Sequence, residues 1–244
     1  MPDVRIGILG GTGPAGRALA VRLADVGYDV VVGSRSRYRA MEIRDGLVAK
    51  WPAKGLQIGA GDNDEAADTD VIVLATPWDG AAETAMSVAG KLRGKVVISM
   101  ANALARVSGE FQPLVPPRGS VAASVQAAVP DCFVAAAMHH LPAKELGALD
   151  HAIDSDVLIC SDHPHATECT AEIVSRIPGL RPLDAGGLSN ATPIEAFTAV
   201  LLQLNVRYKT RVAIKLTGIA DPKPVVVTAE AGADAADDDA DDDE

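Results

Sequence analysis

Cysteine is scarce in this chain, and what there is excludes more than it offers. The three cysteines (Cys132, Cys160 and Cys169) cannot all pair with one another, and their spacing fits no metal framework. No stretch approaches the roughly 20 uncharged apolar residues that would span a bilayer. The start, MPDVRIGILGG, has an acid at position 3 and no long apolar core before a cleavage site, so no signal peptide is expected. Aromatic residues amount to only 3%. A Tyr-x-x-x-Lys pair, a zinc-ligand set and a Gly-x-Ser-x-Gly elbow are all missing, which leaves no obvious acid–base pair for reducing a simple ketone. The expectation is a reduced, cytoplasmic, soluble protein without a metal.

What is present suffices for a real core. The 244 residues are 48% hydrophobic and 23% charged, which suits one large domain or two small ones and excludes global disorder. The net charge of −11 is unevenly placed. From Asp221 to Glu244 there are 10 acids and 1 lysine, a balance of −9, and the other 220 residues carry 23 acids and 21 bases, a balance of −2. The sequence predicts an acidic disordered tail over 221–244, which disfavours contact with nucleic acid or an anionic membrane.

Strand-length apolar runs alternate with helix-length stretches. Val4–Leu9, Asp29–Val32, Leu56–Ala60, Val71–Ala75, Lys95–Met100 and Cys132–Ala137 are predicted strands. Gly16–Val26 and Ser36–Lys50 are predicted helices. Phe111–Val129, rich in Pro, Gly, Ser and Ala, is predicted to be a loop leading into a helix. The pattern gives an α/β fold with a doubly wound parallel sheet. After Pro142 the character changes: a strand at Val157–Ser161, a helix at Ala166–Arg176, a strand at Leu180–Ala185 and a long helix from Pro193 to about Leu216. The predicted organisation is a nucleotide-binding domain at 1–142, a smaller α/β domain at 143–220 and the tail at 221–244.

The strongest motif is Gly-x-Gly-x-x-Gly at Gly11, Gly13 and Gly16, with a strand directly before it and a helix directly after it. In that context the first glycine permits a tight turn, the second lets backbone approach a pyrophosphate, and the third allows close helix–strand packing. The helix N-terminus then offers free N–H groups to the phosphates. The bland alternative is a glycine turn that merely connects strand to helix. About 20 residues on, an NAD enzyme usually carries an acid for the ribose hydroxyls. Here the chain reads Gly33-Ser34-Arg35-Ser36-Arg37, with Arg39 on the next turn. A carboxylate would repel a 2′-phosphate, whereas a hydroxyl with guanidinium groups binds one, so NADP is favoured over NAD. The same arginines could otherwise belong to a solvated helix face, a reading that suits Arg44 better.

Other candidates fall at strand ends. Trp78, in Thr76-Pro77-Trp78, could wall the ribose or pyrophosphate, or simply pack on the next helix. Ser99-Met100-Ala101-Asn102 ends another strand. Met138-His139-His140-Leu141-Pro142 ends the last before the domain junction, where a histidine could donate to a carbonyl or ring nitrogen, or only satisfy backbone groups. His163-Pro164-His165 is predicted to be a surface turn. Transfer of hydride between two cofactor rings needs less from side chains than ketone reduction does, because the rings need only be stacked, oriented and kept dry.

These residues resemble a known family. Gly10-Gly11-Thr12-Gly13, Val32-Gly33-Ser34-Arg35, Thr76-Pro77-Trp78, His139-His140-Leu141-Pro142-Ala143, Leu180–Gly186 and Leu188-Ser189-Asn190 are similar, in order, to motifs of the NADPH-dependent F420 reductases (F420H2:NADP oxidoreductases). The similarity runs from about Val4 to Leu216, and His140 and Gly187 depart from the family pattern. The resemblance implies an N-terminal Rossmann domain, a small C-terminal domain, and an NADPH:coenzyme F420 oxidoreductase activity. Hydride would pass reversibly between nicotinamide C4 and C5 of the deazaflavin in the cleft between the domains. It further implies that Thr12, Gly13, Pro14 and Ala15 cradle the pyrophosphate. Ser34, Arg35 and Arg39 would hold the 2′-phosphate, and Trp78, Ala82 and Ala143 would line the rest of the NADP site. His139 and Leu141 would position the stacked rings, and Val212 would touch the deazaflavin from the last helix. A homodimer or higher homo-oligomer is implied as well. Two alternatives stand beside this reading: an NADP-dependent imine or small-carbonyl reductase on a similar framework, and a non-enzymatic NADP-sensing module.

Overall fold

The computed structural model of the chain describes residues 4–219; the predicted acidic tail lies outside them. The first β–α unit shows how sequence becomes structure. Strand β1 (Arg5–Leu9) is an Ile/Leu run buried from Ile6 onward. Helix α1 (Pro14–Asp25) starts with proline at its first position, where no N–H is needed, and buries Ala18, Leu19, Ala20, Leu23 and Ala24. Strand β2 (Asp29–Ser34) follows. Helix α2 (Arg37–Lys50) is capped by Ser36, whose hydroxyl accepts from Arg39 N–H, and buries only Ala40. Strand β3 (Ile58–Asp62) leads into the short α3 (Asn63–Ala66), held by a capping box between Asp62 and Glu65.

The chain continues through β4 (Val71–Leu74), α4 (Ala81–Ser87), α5 (Ala89–Leu92) and β5 (Val96–Ser99). A hairpin of β6 (Leu104–Val107) and β7 (Glu110–Pro113) comes next, then α6 (Val121–Ala128) and β8 (Phe133–Ala136). The last part holds α7 (Ala143–Leu146), β9 (Ser155–Ser161), α8 (Pro164–Ser175), β10 (Leu180–Asp184) and α9 (Ala191–Tyr208). The main sheet has the order β10-β9-β8-β5-β4-β1-β2-β3, parallel throughout except where β9 meets β8 antiparallel through Ala135–Ser161 and Ala136–Cys160. The portion β3-β2-β1-β4-β5-β8 is the doubly wound order of dinucleotide-binding folds, whose ligand crevice opens where the strand order reverses, between β1 and β4. The continuous apolar runs of β1, β4 and β5 are the mark of strands covered on both faces, and their residues fill two core clusters.

Several expectations need correction. The Pro-rich stretch at Phe111–Val129 begins inside strand β7, whose hairpin packs on α9 through the bond from Phe111 N–H to Gln203 Oε1 at 3.3 Å. The last helix stops at Tyr208 rather than near Leu216, because Lys209 turns left-handed (φ +51°). His163-Pro164-His165 is not a turn but the entry to α8, with His163 at the N-cap and Pro164 at the first helical position. β9 and β10 extend the main sheet, so residues 143–219 add their strands to its edge.

Candidate active site at the strand-order switch

Gly10, not Gly11, takes the left-handed turn out of β1 (φ +70°), and a Cβ there would stand 2.6 Å from Thr76 Cγ2. The loops after β1 and β4 therefore touch at the crevice. Gly11 serves close approach: its N–H donates to Ile8 O at 3.2 Å and Gly33 O at 2.8 Å, which lays the glycine loop beside the end of β2. A Cβ on Gly16 would fall 2.7 Å from Gly11 Cα, so only glycine lets α1 start this near the strand. Arg17 Nε braces the loop by donating to Thr12 O at 2.6 Å, and Asn63 Oδ1 accepts from Gly10 N–H at 3.3 Å. Sequence reasoning missed both braces, because neither side chain belongs to a recognised spacing.

This cradle has the chemistry a pyrophosphate needs. Among the described residues no side chain caps α1, and no acid lies in its first turn, so its leading N–H groups are left free at the positive end of the helix dipole. A Cβ on Gly13 would come no nearer than 3.6 Å to the surrounding backbone, so the loop is open on its outer side. At the end of β2, Ser34 is buried and its Oγ accepts from Ser36 N–H at 3.3 Å. Arg37 is engaged by Glu65 at 2.7 Å, whereas among the described residues Arg35 and Arg39 have no acid within ion-pair distance. Two exposed, uncompensated guanidinium groups beside the glycine loop suit a phosphate rather than a bare ribose hydroxyl.

Beyond β4, Trp78 is 37% exposed and stands on the short turn entering α4, where Ala82 is half-buried. Beyond β8, Ala137 N–H donates to Ser99 O at 3.1 Å, and Met138 turns left-handed (φ +59°). His139 and His140 follow, both buried, their rings edge to face with centroids 5.2 Å apart. The His140 Nε2–H donates to Asp156 O at 2.8 Å; since a carbonyl only accepts, this fixes the tautomer. Burial, then the neighbouring His140, pushes the His139 pKa down to about 3, and burial lowers that of His140 too, so both rings are neutral at pH 7. Among the described residues no hydrogen bond of full geometry reaches either His139 ring nitrogen, the Ala137 backbone making only a weak approach to the ring, and Thr76 Oγ1 and Ser99 Oγ are buried without a partner as well. These polar atoms gather near the carboxyl ends of β4, β5 and β8, the side of the sheet on which ligands bind in such folds.

Leu141 and Ala143 pack with Ala15 against the same core cluster, and Arg22 fastens the stretch from outside. Its fully buried guanidinium donates to the carbonyls of Leu146, Glu145, Ala148 and His151, which pins α7 to α1. Val212 is placed differently from the expectation. It lies on the irregular stretch past α9, and its N–H donates to Asn205 Oδ1 at 2.6 Å. Among the described residues no group of three or more His, Cys, Asp or Glu could hold a metal ion.

The doubly wound sheet with its glycine loop defines a nucleotide-binding α/β protein of the Rossmann type. Residues 5–103 match the model of the family described as NADP oxidoreductase, coenzyme F420-dependent. The F420-dependent NADP reductase of Methanocaldococcus jannaschii is 32% identical over 222 residues, which cover 88% of this chain and 99% of that protein. The F420-dependent NADP reductase of Methanothermobacter thermautotrophicus is 32% identical over 224 residues, 89% of this chain and 97% of that one. A solved structure from Arthrobacter sp. FB24, 22% identical, superposes with a TM-score of 0.75 over 88% of this chain and 99% of its own, and shows the same fold. The chain belongs to the F420-dependent NADP reductase family.

Proposed function

We propose that this chain is an NADPH:coenzyme F420 oxidoreductase, passing hydride reversibly between the nicotinamide of NADP(H) and the deazaflavin of F420. The observation that carries the reading is the pair of unlike half-sites on one crevice. One is a glycine loop flanked by Arg35 and Arg39, which have no acid partner among the described residues; the other is a buried, neutral His139 whose ring nitrogens find no hydrogen bond of full geometry among those residues. Family membership supports it. Thr12, Gly13, Pro14 and Ala15 would bind the pyrophosphate, and Ser34, Arg35 and Arg39 the 2′-phosphate. Trp78, Ala82 and Ala143 would flank the NADP site, and Val212 would lie near the second coenzyme. Nicotinamide and deazaflavin supply the hydride chemistry when bound. The chain's residues orient them and exclude water, with His139 and Leu141 bordering the rings.

The two-lobe division at Pro142 is retained as a functional one: residues 143–219 would close the crevice from the side of α7 and α9. No helix among the described residues is long and apolar enough to cross a membrane. A reducing, cytoplasmic setting is supported by the free Cys132, Cys160 and Cys169. Self-association is supported by the exposed Phe197, Val200, Val206 and Tyr208 of α9, and light scattering on the full chain tests it.

The direct test is to mix the protein with NADPH and oxidised F420 and follow loss of the deazaflavin's visible absorbance. Turnover supports the assignment. Turnover of a cyclic imine instead would transfer it to the imine-reductase reading, and tight NADPH binding with no turnover of either would indicate a sensor.

A further inference from the structure

The chain leaves β8 through a strained turn. Met138 is fully buried with φ +59°, a conformation costly for a residue carrying a long side chain. It opens the turn Met138–Leu141, closed by Leu141 N–H to Met138 O at 3.2 Å. From inside this turn the His139 carbonyl points at Asn102, whose Nδ2 donates to it at 2.7 Å. The other end of the same amide, Oδ1, accepts from Thr198 Oγ1 of α9 at 3.2 Å. The carbonyl can only accept, so the amide's orientation follows from its partners. One side chain thus joins the end of β5, the turn after β8 and the last helix. One turn earlier on the same face of α9, the buried Glu195 accepts from Val121 N–H at 2.8 Å and Ala122 N–H at 3.2 Å, which fixes α9 against α6.

We propose that Asn102 is a positioning residue for hydride transfer. Through the His139 carbonyl it holds the strained turn, and with it the His139 ring and Leu141, in the geometry that receives the nicotinamide; Thr198 keeps the amide aimed. The inference rests on the proposed function, and Asn102 itself touches neither ring in that picture. The expected signature is a loss in the chemical step rather than in cofactor affinity, since the phosphate-binding loops after β1 and β2 are separate from this turn. A displacement of about 1 Å at reacting rings costs up to about a hundredfold in rate.

The test compares wild type with Asn102→Asp, Asn102→Ala, Thr198→Val and Thr198→Ser. Asn102→Asp keeps the acceptor for Thr198 and loses the donor to His139. The measurements are kcat and KM with F420, the kinetic isotope effect of C4-deuterated NADPH, and thermal melting. A further readout, made without F420, is the fluorescence of the bound nicotinamide together with the NADPH Kd. Expected results for both Asn102 variants are a fall in kcat of about tenfold or more, a larger isotope effect and altered nicotinamide fluorescence, with little change in NADPH Kd. Thr198→Ser should recover most of what Thr198→Val loses. Unchanged kcat and fluorescence in folded Asn102→Asp overturns the proposal, as does a rise in NADPH Kd as large as the fall in kcat. Should the Asn102 variants not fold, Thr198→Val against Thr198→Ser decides on the same measures. Failure of the functional reading shows elsewhere, in a wild-type protein that does not exchange hydride with F420, while the fluorescence still reports on Asn102.

Discussion

Arg181 grips the fully buried Asp156 with two parallel hydrogen bonds, Nε to Oδ1 and Nη2 to Oδ2, each 2.8 Å. The pair joins β10 to β9, and Asp156 serves more than the pair. Its Oδ2 also accepts from Leu216 N–H at 2.6 Å, its N–H donates to Ile214 O at 2.7 Å, and its carbonyl takes the His140 bond. The segment following α9 is held to the sheet here, with Ser155 Oγ donating to Ile214 O and Arg181 to the carbonyls of Leu216 and Ile219, and one ring of the histidine pair hangs from the same strand. Asp156→Asn should destabilise the fold by about 3 kcal/mol, because an amide NH2 cannot accept from both neighbouring donors. The Arg181 hydrogen bonds hold the Asp156 carboxyl below its ordinary value. Its contribution is therefore present above that ordinary value and lost as pH falls below it. Denaturant unfolding of wild type and variant, compared at neutral and acid pH, checks both statements.

The cofactor preference rests on Arg35. Arg35→Ala should raise KM for NADPH about 10- to 150-fold, equivalent to a charge-assisted bond of about 1.5–3 kcal/mol. KM for NADH, which has no 2′-phosphate, should change little. Equal effects on both nucleotides would show that the guanidinium does not face the phosphate.

Gly16 is fixed by contact with backbone, not by conformation. A Cβ there meets Gly11 Cα at 2.7 Å and Gly11 C at 3.0 Å, and neither atom can swing aside as a side chain could. Gly16→Ala should push the glycine loop outward, with a stability loss of about 1–3 kcal/mol and weaker binding of NADPH and NADH alike. Titration calorimetry with both nucleotides separates this uniform loss from the selective one at Arg35.

Glu195 should give the fold a pH dependence of opposite sign to that of Asp156. Burial raises its pKa to about 7 despite the two N–H bonds it accepts. A raised pKa means that the folded state favours the protonated acid. The stabilisation is complete below the ordinary glutamate value and fades as pH climbs from there through about 7. Melting temperatures taken as the difference between wild type and Glu195→Gln should therefore fall across that window. A flat difference would show that the carboxyl titrates normally.

Much of the architecture could be read in the linear chain because its signals are local. The Ile/Val runs of β1, β2, β4 and β5, the Ser36 cap and the glycine loop each state their structure within a dozen residues. Where the reading slipped, the deciding contact was remote or the signal was masked. Strand β7 looked like loop from Phe111 onward because Pro113 and the prolines after it mask the strand, and because its support comes from the distant α9. The end of the last helix was overrun because lysine at Lys209 gives no stop signal such as glycine would.

The candidate site divides in the same way. Gly11, Gly13, Gly16, Ser34 and Arg35 could be named from spacing, since one β–α–β unit carries them all and its geometry is set by neighbouring residues; Thr12, Pro14 and Ala15 came from the family resemblance. Asn102, Thr198, Arg22 and Asp156 could not, because their partners lie from 25 to 129 residues away and a polar side chain carries no mark of which carbonyl it will meet. The order of residues determined the kind of sheet, the phosphate loop and the preference for a phosphorylated nucleotide. Only the folded chain decided that the His139 turn hangs from Asn102 and α9, since hydrogen bonds over such separations exist only once the apolar strands have brought their ends together.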